Sequence, residues 1–150
     1  MSQVYLNGAF MALEEARISP MDRGFLFADG IYEVVPAYNS VLFRFDEHLE
    51  RLERSLREVE IRNPHDRQQW QVLCEELIGR NGGGNLSVYL QITRGVATKR
   101  DHAFPEPPVA PTVFMMTSPI AVPAADSPDT ASGGKAITRD DTRWARCDIK

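Results

Sequence analysis

Cysteine is scarce in this 150-residue chain: Cys74 and Cys147 are the two present, far apart and in no CxxC pair. That removes a disulfide framework and a zinc site built on paired cysteines. No apolar run approaches the ~20 residues that a membrane-crossing helix needs. The opening Met1-Ser2-Gln3-Val4-Tyr5 lacks the basic patch and apolar stretch of a secretory signal. Basic residues are in slight deficit, 17 Lys and Arg against 21 Asp and Glu. The clustered basic excess of a nucleic-acid platform is therefore missing. Internal repeats are absent as well. What remains is ordinary globular composition, 43% hydrophobic and 25% charged, with a net charge of −4. Such a chain can bury one sound core without staples and is too apolar for disorder. The expectation is a cytoplasmic protein that engages neither nucleic acid nor membrane.

Asn7-Gly8 lies between two short apolar runs, Val4 to Leu6 and Ala9 to Met11. Both residues tolerate positive φ, so the pair predicts a hairpin. Ile31 to Tyr38 reads as a strand, Asn39-Ser40 as a turn, and Val41 to Phe45 as the returning partner. Asp46 is a suitable N-cap for a helix to about Val59, whose Leu49, Leu52, Leu56 and Val59 form one apolar face. A second helix, from about Asp66 to Arg80, carries Trp70, Leu73, Leu77 and Ile78 and ends at Gly82-Gly83-Gly84. Leu86 to Thr93 and Thr112 to Met116 read as further strands. Residues 1–120 thus predict a small α+β domain, an antiparallel sheet with two packed helices. Residues 121–134, rich in Ala, Pro, Ser, Asp and Gly, read as a linker. Residues 135–150 read as the first strand region of a larger, incomplete second domain.

Four constellations could carry chemistry, and each has an ordinary structural explanation. The run Asp22-Arg23-Gly24 to Tyr32-Glu33 reads alone as a loop with a core tyrosine, although a tyrosine at a strand start can also offer its hydroxyl to a ligand. His48, Arg51 and Ser55 share one flank of the first long helix. There Arg51 is either solvated, paired with an acid such as Glu58 or Glu47, or aimed at a phosphate. Lys99, Arg100 and His102 crowd one loop, which is either a basic surface loop or a grip for a small carboxylate. Finally, Arg143-Trp144-Ala145-Arg146-Cys147-Asp148-Ile149-Lys150 ends on a lysine that is a solvated tail unless burial and like charge lower its pKa. Singly, none decides the matter.

In order and spacing they resemble a known family. Asp22-Arg23-Gly24, Asp29-Gly30-Ile31-Tyr32-Glu33-Val34, Asp46-Glu47-His48-Leu49-Glu50-Arg51-Leu52, Thr93-Arg94-Gly95 and Cys147-Asp148-Ile149-Lys150 resemble the N-terminal half of a class IV (fold type IV) pyridoxal-phosphate aminotransferase. Arg100-Asp101-His102 is similar to the D-amino-acid (D-alanine) branch. The resemblance implies pyridoxal 5'-phosphate as cofactor, with Lys150 as Schiff-base lysine and proton-transfer base. It implies Arg51 on the cofactor phosphate and Tyr32, Arg100 and His102 as the trap for the substrate carboxylate. Arg143 is implied as an active-site-wall arginine. The implied reaction is transamination between a D-amino acid and a 2-oxo acid, with D-alanine and 2-oxoglutarate as the expected pair, in a homodimer whose small domain helps cover the partner's site. Branched-chain L-aminotransferases, (R)-amine transaminases and aminodeoxychorismate lyases share the architecture, and Arg100 and His102 are the discriminating pair. Family members run about as far again beyond the lysine. The expectation is therefore the N-terminal portion of an enzyme, set against an inactive fragment.

Overall fold

Asn7 and Gly8 take positive φ, 48° and 101°, and close a two-residue hairpin between β1 (Gln3–Leu6) and β2 (Ala9–Ala12). Asn39 and Ser40, at 50° and 66°, do the same between β3 (Gly30–Tyr38) and β4 (Val41–Leu42). Both expected turns form. The computed structural model that shows them describes residues 2–121 and 135–142.

The returning strand is shorter than the run Val41 to Phe45 suggests. Arg44 enters the left-handed region at φ 50°, and Phe45 already opens α2 (Phe45–Glu58). Arg44 is thus the N-cap and makes no side-chain capping bond. Asp46, the expected cap, sits in the first turn instead, where a carboxylate still favours the helix dipole, and accepts Arg67 Nε at 2.7 Å. The next helix, α3 (Arg67–Arg80), starts with a reciprocal capping box between Asp66 and Gln69. Positive φ at Gly82 and Gly83 ends it, with Gly83 N–H donating to the Ile78 carbonyl at 2.9 Å.

β5 (Leu86–Thr93) and β6 (Thr112–Pro119) complete an antiparallel six-stranded sheet of order β2-β1-β6-β5-β3-β4. β6 runs past the expected Met116 because β5 pairs with it as far as Leu86 opposite Pro119. Period-two alternation sends Val35, Ala37, Val88, Leu90, Ile92, Val113 and Met115 to one face. There they meet Leu49, Leu52 and Leu56 of α2 and Trp70, Leu77 and Ile78 of α3. The other register of β3 and β5 carries Tyr32, Val34, Tyr89 and Gln91 on the opposite face. Tyr32 is 64% exposed there, so it is not a core tyrosine.

Two features of this architecture shape the site. The stretch from Asp22 to Asp29, expected to be a loop, contains a short helix α1 (Arg23–Phe27) capped by Asp22, whose carboxylate accepts Gly24 N–H at 2.8 Å. In addition, β4 pairs only with Ala37 and Tyr38, so the outer edge of β3 from Gly30 to Val35 has no partner strand among the described residues. Residues 135–142 are exposed and carry no regular secondary structure. Residues 122–134 of the expected linker and residues 143–150 of the expected second domain lie outside the described residues. Among the described residues, no helix is long and apolar enough to cross a membrane.

Candidate active site

Glu33 occupies a core-facing position of β3, between Ile31 and Val35, and is 5% exposed. A buried carboxylate needs cationic partners, and α2 supplies them. His48 and Arg51 stand one turn apart on the helix flank that crosses β3. Arg51 donates Nε to Glu33 Oε1 and Nη2 to Oε2, both at 2.6 Å, a bidentate fork. His48 Nδ1 lies 3.1 Å from both Glu33 Oε2 and Arg51 Nη2. One imidazole tautomer donates to the carboxylate there, and the other accepts from the guanidinium. The acid that holds Arg51 is therefore Glu33 of the sheet, not Glu47 or Glu58 of its own helix.

The pair is lopsided in exposure: the Arg51 side chain is 53% exposed. Its Nη1 makes no hydrogen bond among the described residues. A guanidinium fixed on one side by a buried carboxylate, with its remaining N–H groups outward, suits a phosphoryl oxygen. Burial pushes the Glu33 carboxyl up, but hydrogen bonds from Arg51 and His48 outweigh it and hold the pKa below the ordinary carboxylate value. The unfolded chain therefore takes up the proton first as pH falls. The stability from this pair is complete above about pH 4.3 and drains as pH drops through the folded value. Urea denaturation between pH 5 and 3 should show a decline that is shallower in Glu33→Gln.

The second cluster hangs on α1. Arg23 is 3% exposed and donates Nη1 to the carbonyls of Asp101 (2.7 Å) and Ala103 (3.2 Å) and Nη2 to that of His102 (3.3 Å). Its Nε meets Asp29 Oδ2 at 2.7 Å, the same oxygen that accepts Arg94 Nε at 2.8 Å. Arg94 in turn donates to the carbonyls of Glu60 and Val59. Burial pushes the Asp29 carboxyl up, and the hydrogen bonds and charge of Arg94 and Arg23 bring it below the ordinary value. The motif glycines keep this assembly close. A Cβ on Gly24 would strike the Thr93 side chain, and one on Gly95, at φ 107°, would strike the Ala110 carbonyl.

Arg100 and His102 are brought together on Phe27. The Arg100 guanidinium lies 5.0 Å from the ring centroid and the His102 ring 5.1 Å from it. Both are exposed, while Lys99 is occupied by Asp101 at 2.9 Å. Tyr32 stands elsewhere, stacked on Tyr89 at 5.7 Å on the open sheet face. No hydrogen bond or ring contact joins it to Arg100 or His102 among the described residues. Arg143 and Lys150 lie outside the described residues. No His, Cys, Asp and Glu cluster among the described residues could hold a metal. Sequence reasoning assigned no role to Glu33, Arg23, Asp29 or Arg94. The available signal was register: a lone acid at a core position of an alternating strand calls for a cationic partner.

Residues 30–150 match the amino-transferase class IV family. The chain belongs to the class IV aminotransferases. A D-alanine aminotransferase of Staphylococcus epidermidis is 40% identical over 150 residues, all of this chain and 52% of that protein. One from Listeria monocytogenes is 36% identical over 148 residues, 99% of this chain and 50% of that protein. This class IV chain thus spans about half the length of the curated relatives it matches. Its fold superposes on the branched-chain amino acid aminotransferase of Escherichia coli with a TM-score of 0.72, at 20% identity, over 79% of this chain and 41% of that one. The branched-chain aminotransferase of the thermophilic archaeon Thermoproteus uzoniensis, solved with norvaline, gives 0.67 at 21% identity, over 80% and 41%. At those identities the two structures establish the shared fold.

Proposed function

We propose that this chain forms the N-terminal half of a pyridoxal-phosphate-dependent D-amino-acid aminotransferase, exchanging the amino group of D-alanine with 2-oxoglutarate in the cytoplasm. The observation that carries the reading is the Arg100–His102 pair, held side by side on Phe27 at the surface of a backbone-clamped loop. A guanidinium beside an imidazole fits a small carboxylate. The family membership and the D-alanine aminotransferase relatives support the same branch. Branched-chain L-aminotransferase remains the nearest competing activity, since such enzymes share the fold.

The cofactor, when bound, supplies the electron sink that makes the substrate Cα–H acidic. Arg51, steered by Glu33 from the sheet side, would hold its phosphate. Lys150 would attach the cofactor and serve as the proton-transfer base at the substrate Cα. Tyr32, Arg100 and His102 orient the substrate carboxylate and so choose which face of Cα meets the lysine, with Arg143 on the wall. Among the described residues no hydrogen bond or ring contact joins Tyr32 to the Arg100–His102 loop, which supports a homodimer in which each copy's loop serves its partner's site.

The test is turnover by the protein expressed from the native gene. D-Alanine with 2-oxoglutarate should be a far better pair than L-leucine with 2-oxoglutarate. Arg100→Ala should raise KM for D-alanine about 10- to 100-fold, the loss expected when a charged carboxylate contact is removed. A preference for L-leucine, or an unchanged KM in Arg100→Ala, would reject the D-amino-acid assignment.

A further inference from the structure

Arg23 is almost wholly buried under the loop that carries Arg100 and His102. It is 3% exposed, and four of its five N–H groups meet the Asp29 carboxylate and the carbonyls of Asp101, His102 and Ala103. Three consecutive carbonyls on one planar guanidinium fix both the position and the twist of the backbone that carries His102. The same guanidinium lies 4.8 Å from the centroid of Phe27, while Arg100 and His102 contact that ring at 5.0 and 5.1 Å. Arg23 and the Arg100–His102 pair therefore share a backbone segment and an aromatic ring. Without Arg23 the segment from Val96 to Pro111, which has no helix or strand of its own, would lose the three hydrogen bonds that hold its 101–103 backbone.

We infer that Arg23 is a positioning residue for the substrate-carboxylate clamp, acting on Arg100 and His102 through the 101–103 backbone and the Phe27 ring. The inference rests on the D-amino-acid reading above and adds to it the group that orders the clamp. Asp29 completes the device by holding Arg23 at Nε, leaving Nη1 and Nη2 to face the loop. Lysine cannot replace this geometry. A single ammonium could meet Asp29 or the carbonyls but could not hold the planar array of both.

The experiment uses the protein expressed from the native gene, with Arg23→Lys, Arg23→Gln and Phe27→Leu, the last removing the shared ring while leaving the buried charges in place. Three readouts are taken: steady-state kinetics with D-alanine, the visible absorbance of bound pyridoxal phosphate, and the rate of tryptic cleavage after Lys99 and Arg100. The expected result is KM for D-alanine raised about 10- to 100-fold, as a misplacement near 1 Å produces. Meanwhile kcat stays within about threefold, cofactor absorbance is retained and the 99–100 segment is nicked faster. If neither Arg23 variant folds, Phe27→Leu decides by the same measurements. A loop that is nicked faster while KM holds would overturn the proposal, as would KM, kcat and cofactor absorbance changing together, the mark of a general structural role. Failure of the broader reading looks different: the native protein itself would not turn over D-alanine, and the clamp would lose its substrate.

Discussion

Lys150→Ala in the full-length protein should abolish the absorbance of the lysine-attached cofactor and lower transamination at least about 10²- to 10⁴-fold, the usual contribution of a positioned proton-transfer group. The lysine is assigned two tasks, covalent attachment of the cofactor and proton movement at the substrate Cα, and alanine can do neither. Arg51 and Glu33 would remain, so some non-covalent hold on the phosphate should survive. The variant should then bind cofactor weakly, without the spectrum of the attached form. Borohydride reduction followed by intact mass gives an independent reading: an adduct on the native protein and none on the variant. An unchanged spectrum in Lys150→Ala would place the attachment elsewhere and dismantle the assignment.

Asp29→Ala should be the most destabilising single change among the polar residues described, costing about 3–5 kcal/mol, the range for removing one partner of a buried ion pair. Its Oδ2 serves two guanidiniums whose side chains are only 4% and 10% exposed. Removing the carboxylate leaves two buried cations with no counter-charge, supported by backbone carbonyls and the rings of Phe27 and Phe104. Against a typical total of about 5–15 kcal/mol, that is a large fraction. Asp29→Asn should cost clearly less, because an amide oxygen can still accept from both Nε atoms although the charge is gone. The difference between the two variants isolates the hydrogen bonds from the ionic contribution. By contrast, Glu76→Ala breaks a solvent-exposed pair with Arg80 and should fall within about 0.5 kcal/mol. Denaturant unfolding of the native-gene protein measures all three. Equal effects for Glu76→Ala and Asp29→Ala would show that the buried cluster is not the anchor its geometry implies.

Much of the frame is legible in the sequence because the forces involved are local. Asn7-Gly8 and Asn39-Ser40 turn because their own backbones accept positive φ. α2 and α3 follow from apolar residues recurring at helical spacing, and the capping box of Asp66 spans only three residues. The order of motifs was enough to suggest the family that residues 30–150 match. Local reasoning also reached its limit at identifiable places. Asp46 is a good cap by composition, yet the backbone turns into the helix earlier, at Arg44. Tyr32 opens a strand of core-like residues, yet the register of β3 against β5 puts it on the uncovered face.

Partner choice was the part that only the tertiary structure decided. Arg51 had acids within helical reach on its own helix, but it pairs with Glu33, 18 residues away, because α2 crosses β3 there. Arg23 finds its carbonyls 78 to 80 residues along the chain, at a loop that the sequence marks only as basic. Charge pairing depends on what sheet register and helix packing bring within hydrogen-bond distance and remove from water. Spacing along the chain carries little of that information. The sequence by itself thus determined the two long helices, the hairpin turns, most of the strands and the family. Folding in three dimensions determined which buried acid steers Arg51 and which buried arginine steadies the loop of Arg100 and His102.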